Sequence, residues 1–123
     1  MNTPPRRMRF DDLPALEAAV STEFCDWGPS FRVTQELISA FARMTHDEFW
    51  LHVDPERAKR DSPTGTTLAH GFLVLSLVPA LQTPSPVEVT DFRRAFNAGL
   101  DRVRFVRPVA VEREIHARMR LAE

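Results

Sequence analysis

The feature that most constrains this chain is a nearly uninterrupted apolar run in its middle, TTLAHGFLVLSLVPAL, over residues 66–81. From Leu68 to Val78 only His70, Gly71 and Ser76 break the run, and they form no polar face. A helix that is apolar on every side must be surrounded by other elements of the fold. The run is also too short to cross a bilayer. It therefore predicts a long, buried central helix.

The composition limits the class of protein. With 123 residues, we expect one domain with a single modest core. The 43% hydrophobic content excludes a disordered chain, and the net charge of −1 argues against a protein that binds nucleic acid or a membrane surface. Cys25 is the only cysteine and the N-terminus has no apolar signal segment, so no intrachain disulfide can form and we expect a cytoplasmic location.

Local signals predict three helices before the apolar run. Residues 1–9 are rich in Pro and Arg and are interpreted as a loose segment. Asp11 or Asp12 can cap a first helix, whose apolar stripe would be formed by Leu13, Leu16, Val20 and Phe24.

The second and third helices have clearer starts. Thr34 is a typical N-cap for a helix that ends near Met44 and buries Ile38, Phe41 and Ala42. Asp54 followed by Pro55 predicts a short helix through about residue 60. Residues 45–53 show no clear period and are interpreted as irregular.

The last third of the chain changes period. Over residues 100–107, Val103 and Phe105 alternate with arginines, and over residues 111–121 apolar and polar side chains alternate again. Both patterns are typical of half-exposed antiparallel strands, joined by a turn at Pro108. Helices followed by strands indicate an α+β fold.

The residues suited to chemistry lie in two stretches. Asp47 and His52 are separated by an apolar stretch within an irregular segment, so an acid and an imidazole could meet in a pocket and exchange protons near neutral pH. Gly71 lies at the start of the predicted central helix, where unpaired amides can stabilise an oxygen that gains negative charge. His70 is interpreted as a structural residue, hydrogen-bonded near this helix start.

Three blocks carry a resemblance to a known family: TQELISAFARMTHDEFWLHVDPERA, SPTGTTLAHGFLVLSLVPAL and FNAGLDRVRFVRPV. In this order and spacing they resemble the MaoC-like dehydratases, in particular the branch with the NodN-type nodulation proteins and the (R)-specific enoyl-CoA hydratases. The resemblance implies a hot-dog fold over residues 10–123, in which a curved antiparallel sheet wraps a long central helix. It also implies a homodimer, or a heterodimer with a related hot-dog chain.

The same resemblance implies the function and the site. The expected reaction is reversible addition of water to a 2-enoyl thioester of coenzyme A or acyl carrier protein, without a cofactor or metal. Asp47 and His52 match the family's catalytic pair, and the backbone N–H of Gly71 matches the donor to the thioester carbonyl. We expect three aromatic side chains to line the acyl pocket, namely Phe49, Trp50 and Phe72.

Three departures from the family pattern matter. The family usually has Gly before the catalytic Asp, and this chain has His46; a Gly there often reflects a positive φ. Val74 replaces a Ser or Thr that can help to hold the water. The family usually continues with two more strands, so we expect the sheet to be truncated after Glu123. These departures leave open a second hypothesis, a catalytically silent subunit that stabilises an active paralogue; a hot-dog thioesterase is a third.

Overall fold

The computed structural model describes residues 4–123. The elements in chain order are β1 (Arg6–Arg9), α1 (Leu13–Ala18), β2 (Phe31–Arg32), α2 (Gln35–Thr45), α3 (Trp50–Val53), α4 (Pro55–Asp61), α5 (Gly71–Ser76), a 3₁₀ helix (Val78–Leu81), β3 (Val87–Thr90) and β4 (Glu114–Ile115).

The chain divides into two compact units, which are described separately. The first, called the site unit here, comprises Ser30–Leu81 and Arg104–Ile115 and contains every predicted site residue. The second unit comprises residues 4–29, Gln82–Val103 and His116–Glu123.

Each unit has one small sheet. In the site unit β2 and β4 are antiparallel, with Phe31 opposite Ile115. In the second unit β1 and β3 are parallel, with Arg6 opposite Val87. Helices combined with small sheets confirm the α+β class. The single curved antiparallel sheet is not present in residues 4–123, where each sheet has two strands.

The predicted starts of α2 and α4 are confirmed by their caps. The Thr34 hydroxyl accepts a hydrogen bond from the Leu37 amide at 3.2 Å. The Asp54 carboxylate accepts one from the Arg57 amide at 2.9 Å, and Pro55 lies in the first turn. Each cap satisfies an amide that has no partner inside its own helix, which stabilises the helix by about 1 kcal/mol.

The core of the site unit lies between α2 and α5. Ile38 of α2 is fully buried, as is Val33 before it, and both pack with Leu73 of α5 and with Leu77, which follows that helix. Burying the Ile38 side chain contributes about 2–3 kcal/mol. Of the predicted apolar face of α2, Ile38 and Ala42 are buried and Phe41 is half-buried, so this prediction is confirmed.

The predicted helix start at the Ala69-His70-Gly71 block is confirmed, but a helix over the whole apolar run of residues 66–81 is wrong. Residues 67–69 are extended, because their backbone groups bond to two other segments: Val111 N to Thr67 O (3.0 Å), Leu68 N to Leu51 O (3.0 Å) and Ala69 N to Val109 O (2.8 Å). The helix can begin only after these bonds, at Gly71.

The predicted helix is also wrong in its length and in its complete burial. Pro79 has no N–H and its ring conflicts with the preceding turn, so α5 gives way to a short 3₁₀ helix. Phe72 is 70% exposed and Val78 is 49% exposed, so α5 has one buried side rather than an apolar surface covered all round. Among residues 4–123, no helix has the length and apolar character needed to cross a membrane.

The strand predicted over residues 100–107 is not formed; these residues are exposed and have no regular structure. Of the strand predicted over residues 111–121, only Glu114–Ile115 is assigned. The turn expected at Pro108 lies instead at Val111 and Glu112, where Glu112 has a φ of 63°. Over residues 100–107, alternation forms no strand because no partner backbone among residues 4–123 completes a ladder. Over residues 117–121, backbone carbonyls accept bonds from the Ser21, Cys25 and Gly28 amides, but no strand is formed there.

The N-terminal predictions need two corrections. Arg6–Arg9, predicted to be loose, form β1, while residues 1–3 of that prediction lie outside the described residues. The first helix is capped by Asp12, whose carboxylate accepts a bond from the Ala15 amide at 3.1 Å. It ends at Ala18, so the apolar stripe does not continue to Phe24, which is 47% exposed.

Candidate functional site

The segment between α2 and α3 turns sharply at His46. This residue ends α2 in the left-handed conformation, with φ 59° and ψ 23°. The positive φ expected from the family's usual Gly is therefore present, although this chain has a side chain there. The turn releases Asp47 from the helix and directs the chain toward Trp50–Val53, which forms one helical turn within the segment predicted to be irregular.

Asp47 and His52 lie close together, at the surface rather than in an enclosed pocket, and a third residue joins them. One carboxylate oxygen of Asp47, one ring nitrogen of His52 and one of His70 lie within 4.8 Å of one another. The Asp47 side chain is 57% exposed, His52 is half-buried and the His70 side chain is 4% exposed. The cluster therefore has an open side at the carboxylate and a closed side at His70.

The His52 ring is held in one orientation by its backbone neighbours. Its Nδ1 lies 2.7 Å from the carbonyl oxygen of Leu68. A carbonyl only accepts, so Nδ1 must carry the hydrogen, and in the neutral ring Nε2 is then the free base. The carbonyl oxygen of His52 accepts a bond of 2.8 Å from Gln35 Nε2.

Gln35 and Thr67 support this segment and were not found from the sequence. The Thr67 hydroxyl donates to Gln35 Oε1, and Gln35 Nε2 also donates to Ser39 Oγ at 3.1 Å. Thr67 is 1% exposed. The sequence signal was weak, since a Gln in the first turn of a helix is common and the bond to Thr67 joins residues 32 positions apart.

His70 has contacts with both members of the pair. Its Nε2 lies 2.9 Å from the backbone oxygen of Asp47 and 3.9 Å from a carboxylate oxygen of the same residue. Its ring stacks on His52 with centroids 3.7 Å apart and planes inclined by 22°. The first contact agrees with the prediction that His70 is a hydrogen-bonded structural residue. The stacking of His70 on His52 was not predicted.

Asp and His are metal ligands, so the cluster must be compared with the needs of a metal. A nitrogen lone pair lies in the plane of its imidazole, and the two rings here are nearly parallel and stacked. Two such rings cannot both direct a lone pair at one ion between them. In addition, His52 Nδ1 and His70 Nε2 are engaged with carbonyl oxygens. This arrangement fits proton transfer better than metal binding.

The start of α5 is close-packed against an aromatic ring. A Cβ on Gly71 would lie 2.7 Å from the nearest ring atom of Phe105, so only glycine fits without movement. Phe105 also contacts Phe72 edge to face, with centroids 5.9 Å apart. A cleft of about 260 Å³ lies here, and Val74 and Arg107 form part of its wall together with Gly71 and Phe105.

The three predicted aromatic residues occupy different environments. Phe49 is 54% exposed and its ring lies 6.4 Å from that of His52, edge to face. Trp50 is half-buried and its ring is covered by the Arg57 guanidinium at 4.5 Å. Phe72 is exposed beside Phe105. Phe49 therefore forms an aromatic pair with His52.

Comparisons with known proteins agree with the resemblance read from the motifs. A family model described as MaoC like domain matches residues 20–123. Nodulation protein N of Rhizobium leguminosarum bv. viciae is 44% identical over 91 residues, which cover 74% of this chain and 56% of that protein. The 3-hydroxyacyl-thioester dehydratase Z of Mycobacterium tuberculosis (strain ATCC 25618 / H37Rv) is 42% identical over 110 residues, covering 88% of this chain and 70% of that protein.

The lengths of these relatives differ from that of the chain. The chain spans 56% of the nodulation protein and 70% of the dehydratase. The family match nevertheless includes Asp47, His52 and Gly71, and it extends over most of the sequence. On these grounds the chain belongs to the MaoC-like dehydratase family.

Proposed function

We propose that this protein is a hydro-lyase that interconverts 3-hydroxyacyl and 2-enoyl thioesters. The observation that carries the proposal is the convergence of the Asp47 carboxylate and the His52 imidazole within 4.8 Å. The name of the mycobacterial relative, a 3-hydroxyacyl-thioester dehydratase, supports the reaction class. More specifically, we propose that the substrate is a thioester of coenzyme A or acyl carrier protein, and that the stereochemistry is that of the (R)-specific branch.

The hydrogen bond of His52 supports the role of base for this residue in the proposal. Because Nδ1–H donates to the Leu68 carbonyl, Nε2 is the nitrogen available to accept a proton from water. The water oxygen then bonds to Cβ of the enoyl thioester as the C=C electron pair moves to Cα. The proton taken by His52 passes to the Asp47 carboxylate, which delivers it to Cα, so the pair ends in the protonation state in which it began.

The Gly71 N–H is the proposed donor to the thioester carbonyl. Enolate character develops on that oxygen when water adds to Cβ, so a fixed donor stabilises the transition state more than the substrate. The proposal is supported by the position of Gly71, which follows His70 of the cluster and opens α5. Phe49 and Phe72, both exposed, are proposed to contact the acyl chain, with Trp50 behind Phe49.

We also propose that a second chain completes the fold as a hot-dog dimer. Within the second unit, four large apolar side chains are exposed over residues 92–103, namely Phe92, Phe96, Leu100 and Val103. A concentration of exposed apolar side chains is typical of surfaces that another chain covers. The partner would be a second copy of this chain or a related hot-dog subunit.

The proposed reaction is tested by following the ultraviolet absorbance of a 2-enoyl-CoA series during hydration. We expect turnover by the wild type, and a loss of about 10²–10⁴-fold in kcat for Asp47→Asn and for His52→Asn. Asn at position 52 retains an N–H for the Leu68 carbonyl but lacks a basic nitrogen. Glu48→Gln is the matched control, because it removes an exposed carboxylate next to Asp47 and is expected to retain activity.

The alternatives give different results in the same assay. Release of free thiol would identify a thioesterase. Absence of turnover at every acyl length, together with co-purification of a related chain, would support the silent subunit instead. If Glu48→Gln and Asp47→Asn lose the same amount of activity, the loss arises from removing a negative charge from the loop. That result would refute the catalytic role of Asp47.

A further inference from the structure

His70 is the residue through which the two members of the proposed catalytic pair are connected. Its Nε2 lies 2.9 Å from the Asp47 carbonyl oxygen, and its ring stacks on that of His52 at 3.7 Å. We propose that His70 is a positioning residue that fixes the relative geometry of Asp47 and His52. This inference rests on the proposed function, since the geometry matters only if the pair acts on substrate.

The hydrogen bond fixes the backbone from which the carboxylate projects. Asp47 follows the left-handed turn at His46 and its side chain is 57% exposed, so the protein surface holds the carboxylate only loosely. Within residues 4–123, the bond from His70 ties the Asp47 backbone to a segment 23 positions away. Losing it would allow the loop to move by a fraction of an ångström or more. A displacement of about 1 Å can cost 10²-fold in rate.

The stacking fixes the other member of the pair. The Leu68 carbonyl holds Nδ1 of His52 at one point, and the parallel face of His70 prevents the ring from tilting about that point. Phe41 of α2 contacts the His70 ring at 5.0 Å and holds it in place. The direction of His52 Nε2 is therefore set by two contacts.

An unpaired nitrogen argues that this imidazole is present for more than packing. His70 Nδ1 is buried and has no hydrogen-bond partner among the described residues. A buried acceptor without a partner costs stability. Phenylalanine would fill a similar volume without that cost. The imidazole therefore supplies a donor to the Asp47 carbonyl that phenylalanine would lack.

Two substitutions separate the functions of the ring and of the donor. His70→Phe keeps an aromatic face against His52 and removes the bond to Asp47. His70→Gln places an amide N–H close to the Nε2 position and removes the ring. We expect His70→Phe to lower kcat by at least about tenfold with KM within about threefold of wild type, while its thermal midpoint stays equal or rises. His70→Gln should recover part of the lost kcat, because it restores the donor to the Asp47 carbonyl but not the ring that stacks on His52.

A structural role would give the opposite pattern. Activity that falls only in proportion to the folded fraction, or a His70→Phe enzyme with kcat within twofold of wild type, would overturn the inference. Backbone ¹⁵N relaxation of the unliganded proteins supplies a readout that needs no substrate. We expect the order parameters of Asp47 and Glu48 to be about 0.85 in the wild type and in His70→Gln, and to fall below about 0.6 in His70→Phe.

The two readouts separate this inference from the proposed function. If the wild type hydrates no enoyl thioester, the proposed function fails and relaxation alone decides whether His70 orders the loop. If the wild type is active and the order parameters are the same in all three proteins, the positioning role of His70 is wrong and the proposed function stands.

Discussion

The left-handed turn at His46 predicts that a substitution there stabilises the protein, whereas most substitutions destabilise a protein. His46 has φ 59° and ψ 23°, and its side chain is exposed. This conformation costs a residue with a Cβ about 1–2 kcal/mol, and glycine does not incur this cost. Glycine also increases the freedom of the unfolded chain, which offsets about 0.4–1 kcal/mol. The difference predicts that His46→Gly raises the free energy of unfolding by about 0.5–1 kcal/mol.

The assay is urea denaturation followed by circular dichroism, with the thermal midpoint as a second measure. An increase of about 2–5 °C is expected for a chain of this length. His46→Ala is the matched variant, because it removes the imidazole but retains the Cβ, and it should give no gain. If His46→Gly destabilises the protein, or if His46→Ala stabilises it equally, backbone conformation is not the cause and the reasoning fails.

Two further predictions concern the packing behind the site. Gly71→Ala should reduce activity at least about tenfold, because the new Cβ would lie 2.7 Å from the Phe105 ring. Adding Phe105→Ala should restore part of the lost activity, and a double-mutant cycle measures the coupling of the two residues. Gln35→Ala should lower the free energy of unfolding by about 1–3 kcal/mol, because it leaves the buried Thr67 hydroxyl without a partner. Thr67→Val added to it should recover part of this loss in urea denaturation, whereas full additivity would contradict the bond.

Much of the local structure was readable from the sequence because its causes are local. Thr34 and Asp54 cap their helices through amides three residues away, so the signal and its effect lie in the same short stretch. The spacing of Ile38 and Ala42 identified the buried face of α2 for the same reason. The motif around Asp47 pointed to the correct family, which the family match confirms.

The errors concern elements whose limits depend on distant backbone groups. Nothing in TTLAHGFLVLSLVPAL shows that its first residues are extended, because the bonds that extend them come from Leu51, Val109 and Val111. Likewise, the alternation over residues 100–107 is that of a strand, yet no partner backbone pairs with it within the described residues. Hydropathy alone cannot identify such partners.

The sequence by itself determined which helices are capped and that an acid and an imidazole lie in one short segment. The tertiary structure alone decided that His70 lies against both of them and that Gln35 supports the segment from the other side. Caps and periodicity are set by neighbours along the chain. By contrast, a hydrogen bond between residues 47 and 70 exists only after the core has packed, because loop closure must first bring the two segments together.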